Sequence, residues 1–289
     1  GHPMIMATDD SAGPDAPRVL YYGHYDVQPP EPLEEWKNPP FGAEIVDGSN
    51  GKQIVARGAA DDKGQLMTFV EAIRAWKDTH ESLPVRVVIL LEGEEESGSE
   101  SLVPFLQEHK DALKADTCIV CDTGMWDPET PAITSRLRGL VYIEATLHGP
   151  SHDLHSGSYG GAVVNPANAL TAILGQLHDS EGKVQIDGFY DDVEIVSTEQ
   201  IAQWNALGDA DALTLESSGA KVTFGEKGYS TLERLWSRPT CDINGLRAGY
   251  IGEGAKTVIG ATATAKISCR LVAHQKPEEI QKALFTFLE

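Results

Sequence analysis

Four apolar runs in the first 122 residues of this 289-residue chain each end on residues of metal-ligand type. Residues 19–22 lead to His24 and Asp26, residues 54–56 to Asp61 and Asp62, residues 85–91 to Glu94, Glu95 and Glu96, and residues 118–120 to Asp122. A short apolar run bounded by polar residues reads as a strand. The pattern therefore predicts several strands that deliver carboxylates and an imidazole to one edge of one sheet. In open α/β sheets the carboxyl edge is where ligands bind. So many acids cannot stay ionised side by side without a strong counter-charge, and a divalent metal supplies one.

Length sets the domain count. A chain of 289 residues is better divided into two ordinary domains than folded around one core. The formal charge of −21 argues against nucleic acid or an anionic membrane as a partner, since both need basic patches. No apolar stretch reaches spanning length, and Gly1-His2-Pro3-Met4 reads as mid-domain sequence rather than a leader. Four scattered cysteines make no disulfide framework, so a reduced, cytoplasmic setting is the default. Cys118 and Cys121 form a CxxC. Within a strand, positions i and i+3 face opposite ways, so the two are expected to be buried, inert thiols.

The first part of the chain alternates strand and helix signals. Residues 19–22, 85–91 and 117–120 read as strands, residues 54–56 as a short extended run, and residues 29–40 as a Pro-rich loop. Leu66, Phe69, Val70, Ile73 and Trp76 have helical spacing, and Ser99 is expected to cap a helix carrying Leu102, Phe105, Leu106 and Leu113. This β-α-β-α order implies a mostly parallel sheet flanked by helices, in a domain at 1–138. A second character begins near Gly139. Residues 140–147 alternate as a strand, 166–177 are helical, 183–237 form a polar, turn-rich insertion, 257–271 give one or two strands, and Pro277 opens a closing helix. Residues 139–289 thus read as a small α+β unit, ferredoxin-like by its order of elements.

Each motif also has a plain reading. His24 and Asp26 share one face of an extended segment, where Asp26 can hold the imidazole of a metal ligand; a surface loop pair is the plain alternative. Asp61-Asp62-Lys63-Gly64 can be a ligand loop or an acidic helix start favoured by the helix dipole. Glu94-Glu95-Glu96 can be a solvated turn, yet it abuts the most hydrophobic strand. Asp122 repeats that placement. His152 and His155, in a glycine-rich turn, can be a zinc pair or incidental. Arg270, set among apolar residues, can be a satisfied core arginine or a bidentate carboxylate clamp.

Five ordered motifs together resemble a known family. They are Tyr22-Gly23-His24-Tyr25-Asp26-Val27-Gln28-Pro29, Arg57-Gly58-Ala59-Ala60-Asp61-Asp62-Lys63-Gly64, Glu92-Gly93-Glu94-Glu95-Glu96-Ser97-Gly98-Ser99, Asp153-Leu154-His155-Ser156-Gly157 and Gly254-Ala255-Lys256-Thr257. The family is that of the co-catalytic dinuclear zinc metallopeptidases, which includes carnosine dipeptidase, carboxypeptidase G and the aminoacylases, and the dipeptidase branch is the nearest match. The resemblance implies a catalytic domain at 1–138 and a lid and dimerisation domain at 139–289. It implies that His24 ligates one metal, Asp61 bridges two, Glu96 ligates the first and Asp122 the second. Asp26 would clamp His24, and Glu95 would be the general base. His155 would stabilise the oxyanion across a homodimer, and Thr257 and Arg270 would hold the substrate. A cis peptide at Asp61–Asp62 is also implied.

The resemblance further implies a histidine ligand late in the chain, with a glycine-rich loop near it; neither motif occurs in these residues, and nothing around His274 matches it. The expected function is hydrolysis of a dipeptide amide with two divalent ions, zinc or alternatively manganese. Two other readings stay open: a catalytically incomplete fragment or binding module, and an N-acyl amino acid amidohydrolase.

Overall fold

The computed structural model describes residues 1–48, 51–127 and 129–289. They form two compact units, Gly1–Thr134 and Ser135–Glu289.

The first unit holds strands β1 (Ile5–Asp9), β2 (Arg18–His24), β3 (Glu44–Gly48) and β4 (Gly51–Val55), helix α1 (Lys63–Thr79), strand β5 (Arg86–Glu92), helices α2 (Leu102–Glu108) and α3 (Lys110–Leu113), and strand β6 (Thr117–Val120). Its sheet runs β1-β5-β2-β6. β2 pairs in parallel with both β5 and β6, while β1 is an antiparallel edge, so the sheet is mixed. The apolar run of β5 fits its central position: alternate residues Val88 and Leu90 pack with Leu113, Leu20, Tyr22, Leu102 and Phe105. On the other face Tyr21 stacks on Phe69 of α1, ring centroids 4.1 Å apart.

Several expectations need correction. The run at 54–56 is not part of this sheet: among the described residues β4 pairs only with β3, as a separate antiparallel pair. Ile45 and Ile54, opposite each other there, are both largely exposed, so apolar content alone did not mark a core strand. Cys118 is exposed and Cys121 half-buried, not buried, because β6 is an edge strand. Both thiols are free. The helix expected through 102–113 breaks at His109 into α2 and α3. Ser99 does not cap it; it sits at φ +54° and turns its hydroxyl to Glu92 instead.

The second unit holds β7 (Gly139–His148), β8 (Leu154–His155), α4 (Ser156–Tyr159), α5 (Pro166–Leu174), α6 (Thr198–Asn205), α7 (Ala210–Ser218), α8 (Thr231–Trp236), β9 (Thr240–Ala248), β10 (Val258–Ile259), β11 (Thr262–Leu271) and α9 (Pro277–Leu288). Its main sheet is antiparallel, β7-β11-β9. Helices α5 and α9 cover one face, where Leu170, Leu174, Ile280 and Leu284 meet Val141, Ile143, Ala265 and Ile267. The stretch at 183–237 is less polar than expected. Val184, Ile186 and Phe189 enter that core, and three short helices follow. Each has a side-chain N-cap, Ser197, Asp209 or Ser230, and Ser230 with Glu233 forms a full capping box.

Among the described residues no helix is long and apolar enough to cross a membrane.

Candidate metal centre

The carboxyl end of β2, the segment before α1 and the loop after β6 bring His24, Asp61 and Asp122 together. One donor atom from each lies within 4.8 Å of the others. His24 ends β2 and is fully buried, while Asp61 and Asp122 are open to solvent. The imidazole Nε2 is 3.0 Å from Asp61 Oδ1 and 3.8 Å from Asp122 Oδ2. Behind the ring, Nδ1 is 3.2 Å from Asp26 Oδ1. A histidine held at one nitrogen by a carboxylate presents the other to a metal in a fixed tautomer.

Asp26 does a second job. Its Oδ1 accepts the Glu95 N–H at 3.3 Å and its Oδ2 the Glu96 N–H at 2.9 Å. One carboxylate therefore orients both the ring and the acidic turn. Glu96 lies outside the tight donor cluster, and its Oε2 accepts from Gln28 Nε2 at 2.7 Å. Asp62, fully buried, turns inward and accepts the His24 N–H at 3.0 Å. The Asp61–Asp62 peptide is cis, as the resemblance implied. Close approach dictates Gly23: a Cβ there would lie 2.8 Å from Asp62 Oδ2.

The electrostatics follow from crowding. Burial, then the neighbouring acids, raises the pKa of Asp122; burial also leads the rise at Asp62 and Glu95, against opposing contributions from His24. At His24 burial opposes the charged ring, but Glu95, Asp62, Asp122 and Asp26 outweigh it and the pKa rises. A site that strains to hold its negative charge is one a divalent cation relieves. The donor set, one imidazole and several carboxylates, suits zinc or manganese. The residues present therefore fit a metal.

In the second unit His155 ends β8 opposite Val258 of β10. Its Nδ1 accepts the Gly157 N–H at 2.9 Å, and its Nε2 faces Thr257 Oγ1 at 3.5 Å. His155 and Thr257 are thus neighbours. Arg270 is elsewhere. It lies near the far end of β11, opposite Leu140 and Thr240, on the face away from the helices, and is exposed rather than a core arginine. At ~3.3 Å per residue, β11 separates it from the Thr257 end by roughly 25 Å. Half-buried Arg138 sits near it, and its pKa is lowered by burial and by the Arg270 charge.

Sequence reasoning passed over Gln28, Tyr22 and Glu92 as individual residues. Their signal was weak: polar groups inside motifs, with roles visible only once β2 and β5 lie side by side.

The chain belongs to peptidase family M20/M25/M40, whose profile matches residues 20–270. It is 33% identical over 282 residues to the Cys-Gly metallodipeptidase dug1 of Schizosaccharomyces pombe, covering 97% of this chain and 59% of the relative. It is 31% identical over 290 residues to the human Beta-Ala-His dipeptidase, covering 99% and 56%. Among solved structures, the M20 family metallo-carboxypeptidase Sso-CP2 from Sulfolobus solfataricus aligns with a TM-score of 0.81 at 36% identity, covering 100% of this chain and 64% of that one. The chain thus spans less than two thirds of the length of these relatives.

Proposed function

We propose that this chain acts as a metal-dependent dipeptidase. The observation that carries the reading is the cluster of His24, Asp61 and Asp122 with Asp26 behind the ring; relatives that are themselves named dipeptidases support it. His24, Asp61, Asp122 and Glu96 would hold two divalent ions, zinc or manganese, with Asp61 shared. Such ions, when bound, polarise the substrate carbonyl and lower the pKa of a water to ~7.

The chain's own residues supply the remaining chemistry. Glu95, its pKa already raised by burial, takes a proton from the attacking water at its carboxylate and passes it to the departing amine nitrogen. Asp26 keeps the His24 ring and the Glu95–Glu96 backbone in register. His155 Nε2 would donate to a developing oxyanion, with Thr257 beside it, and Arg270 would take the substrate carboxylate bidentately.

The separation of Thr257 from Arg270 along β11 bears on assembly. A dipeptide is far shorter than roughly 25 Å, since a residue spans at most ~3.6 Å. One copy of the second unit cannot put both residues on one dipeptide. The reading therefore requires a homodimer through the second unit, in which His155 and Thr257 of one subunit serve the site that uses Arg270 of the other. Four free cysteines fit a cytoplasmic setting.

The test is hydrolysis of Cys-Gly, β-Ala-His and a panel of N-acyl amino acids, with metal content measured alongside. Glu95→Gln is expected to keep its metal and lose ~10²–10⁴-fold in dipeptide turnover. Turnover at the parent's rate, or turnover of the N-acyl compounds alone, contradicts the reading.

A further inference from the structure

The turn that carries Glu95 and Glu96 follows β5 directly, and a second set of contacts fixes where it ends. Glu92 is the last residue of β5, and it continues the face of Val88 and Leu90 that packs beneath α2. It is fully buried, a carboxylate where the strand pattern calls for an apolar side chain. Two hydroxyls reach it. Tyr22 of β2 donates its phenol proton to Glu92 Oε1, and Ser99 Oγ donates to the same oxygen at 2.7 Å. The other oxygen, Oε2, has no partner among the described residues.

Ser99 stands at the far end of the acidic turn. Its N–H donates to the Glu94 carbonyl at 2.7 Å, and its left-handed φ of +54° follows Gly98 at φ +101°. That conformation is uncommon for a residue other than glycine, asparagine or aspartate. The local backbone does not choose it; the bond to Glu92 accompanies it. Residues 93–98 thus form a loop whose two ends meet at one buried carboxylate. Inside the loop Glu94 is held by the His2 and Ser101 N–H groups at 2.6 and 3.1 Å, and a Cβ on Gly93 would lie 2.5 Å from the Tyr25 hydroxyl.

We infer that Tyr22, Glu92 and Ser99 form a positioning network that holds the Glu95–Glu96 turn against Asp26. None of the three touches the reacting atoms. The network acts by closing the loop: with both ends fixed, the Glu95 and Glu96 N–H groups stay on the two oxygens of Asp26, and their carboxylates stay at the sheet edge. Preorganisation of this kind keeps working groups within a fraction of an ångström of their operating geometry. Both donors converge on one oxygen of the buried Glu92 side chain, and its other oxygen has no partner among the described residues. Loss of either hydroxyl leaves a buried carboxylate with a single donor, so the turn is expected to loosen disproportionately.

The inference rests on Glu95 and Glu96 being the working carboxylates of the proposed site. It is tested by Tyr22→Phe and Ser99→Ala, each of which removes one oxygen and leaves the rest of its side chain in place. Two readouts are made on the full chain: amide hydrogen exchange at Glu95 and Glu96 without metal, and Co(II) affinity from the visible absorption spectrum. Leu113→Ala, which thins the apolar cluster that Tyr22 packs against but leaves the Tyr22, Glu92 and Ser99 polar groups in place, is the control. Exchange at Glu95 and Glu96 is expected to speed up about tenfold in both variants, and Co(II) affinity to fall about tenfold, at the lower end of losses typical of outer-shell partners. The control is expected to leave both readouts at the parent's values. Unchanged exchange in the two variants, or an equal change in Leu113→Ala, overturns the inference. If the parent binds no Co(II), the metal reading falls and the exchange data decide on the network by themselves.

Discussion

The two units treat buried polar groups in opposite ways. In the first, His24, Asp62, Glu92 and Glu94 are all buried at or beside the carboxyl edge of the sheet. In the second, the buried core is almost wholly apolar, and His155, Thr257 and Arg270 stand on its surface. Burying charge costs free energy unless the charge is paired and hydrogen-bonded. The first unit accepts that cost where a cation can offset it. The second has no such debt, and its polar residues are carried by a rigid frame. Stability and function are therefore expected to separate between the units.

The largest effect belongs to the second unit. Leu284 of α9 is fully buried against the antiparallel sheet, and Leu284→Ala is expected to cost ~2–5 kcal/mol. Calorimetric unfolding should show the loss, while metal affinity at the His24 site stays at the parent's value. A fall in metal affinity would show that the units do not separate in this way.

Metal should act on the first unit instead. Zinc at about a hundredfold excess over its dissociation constant is expected to stabilise the state that binds it by ~2.7 kcal/mol. Hydrogen exchange in β2 and β5 should slow, and exchange in β11 and α9 should not. Equal slowing in both would break the contrast.

The smallest effect is at the first unit's rim. Lys77 of α1 donates to Asp9 of β1, and this bond, with help from Ser11, lowers the Asp9 pKa from 3.8 to about 2. A depressed carboxylate stabilises the fold above its unfolded pKa and loses that contribution as protons return. The contribution is thus expected in full above pH 4 and to fade between about pH 4 and pH 2. Both side chains are partly exposed, so it should stay below about 1 kcal/mol. Acid titration of stability checks this: Asp9→Asn should flatten the curve in that window and leave the neutral-to-alkaline limb unshifted in shape.

The contrast also explains what the sequence disclosed. Runs 19–22 and 85–91 announced β2 and β5 because parallel central strands are buried on both faces and lack polar alternation. His24, Asp61 and Asp122 were legible for the same reason: each breaks an apolar or glycine-rich stretch abruptly. Strand β4 misled, since Ile54 and Ile45 are apolar yet exposed, and periodicity carries no information on which sheet a strand joins. Edge position misled for Cys118, which is exposed because β6 has one neighbour. Helices α6 to α8 were hidden in a polar stretch, although Ser230-Thr231-Leu232-Glu233 carries a capping-box signature. The partnership of Tyr22, Glu92 and Ser99 could not be read at all. It spans β2, β5 and a left-handed serine, and exists only once the strands pair.

Metal content per chain after equilibrium dialysis against zinc, for the parent and for His24→Ala, decides whether the His24 cluster is a metal site. Two ions per parent chain are expected, held by His24, Asp61, Glu96 and Asp122, with at least one lost in His24→Ala. Equal metal content in the two proteins, or none in the parent, would contradict that assignment.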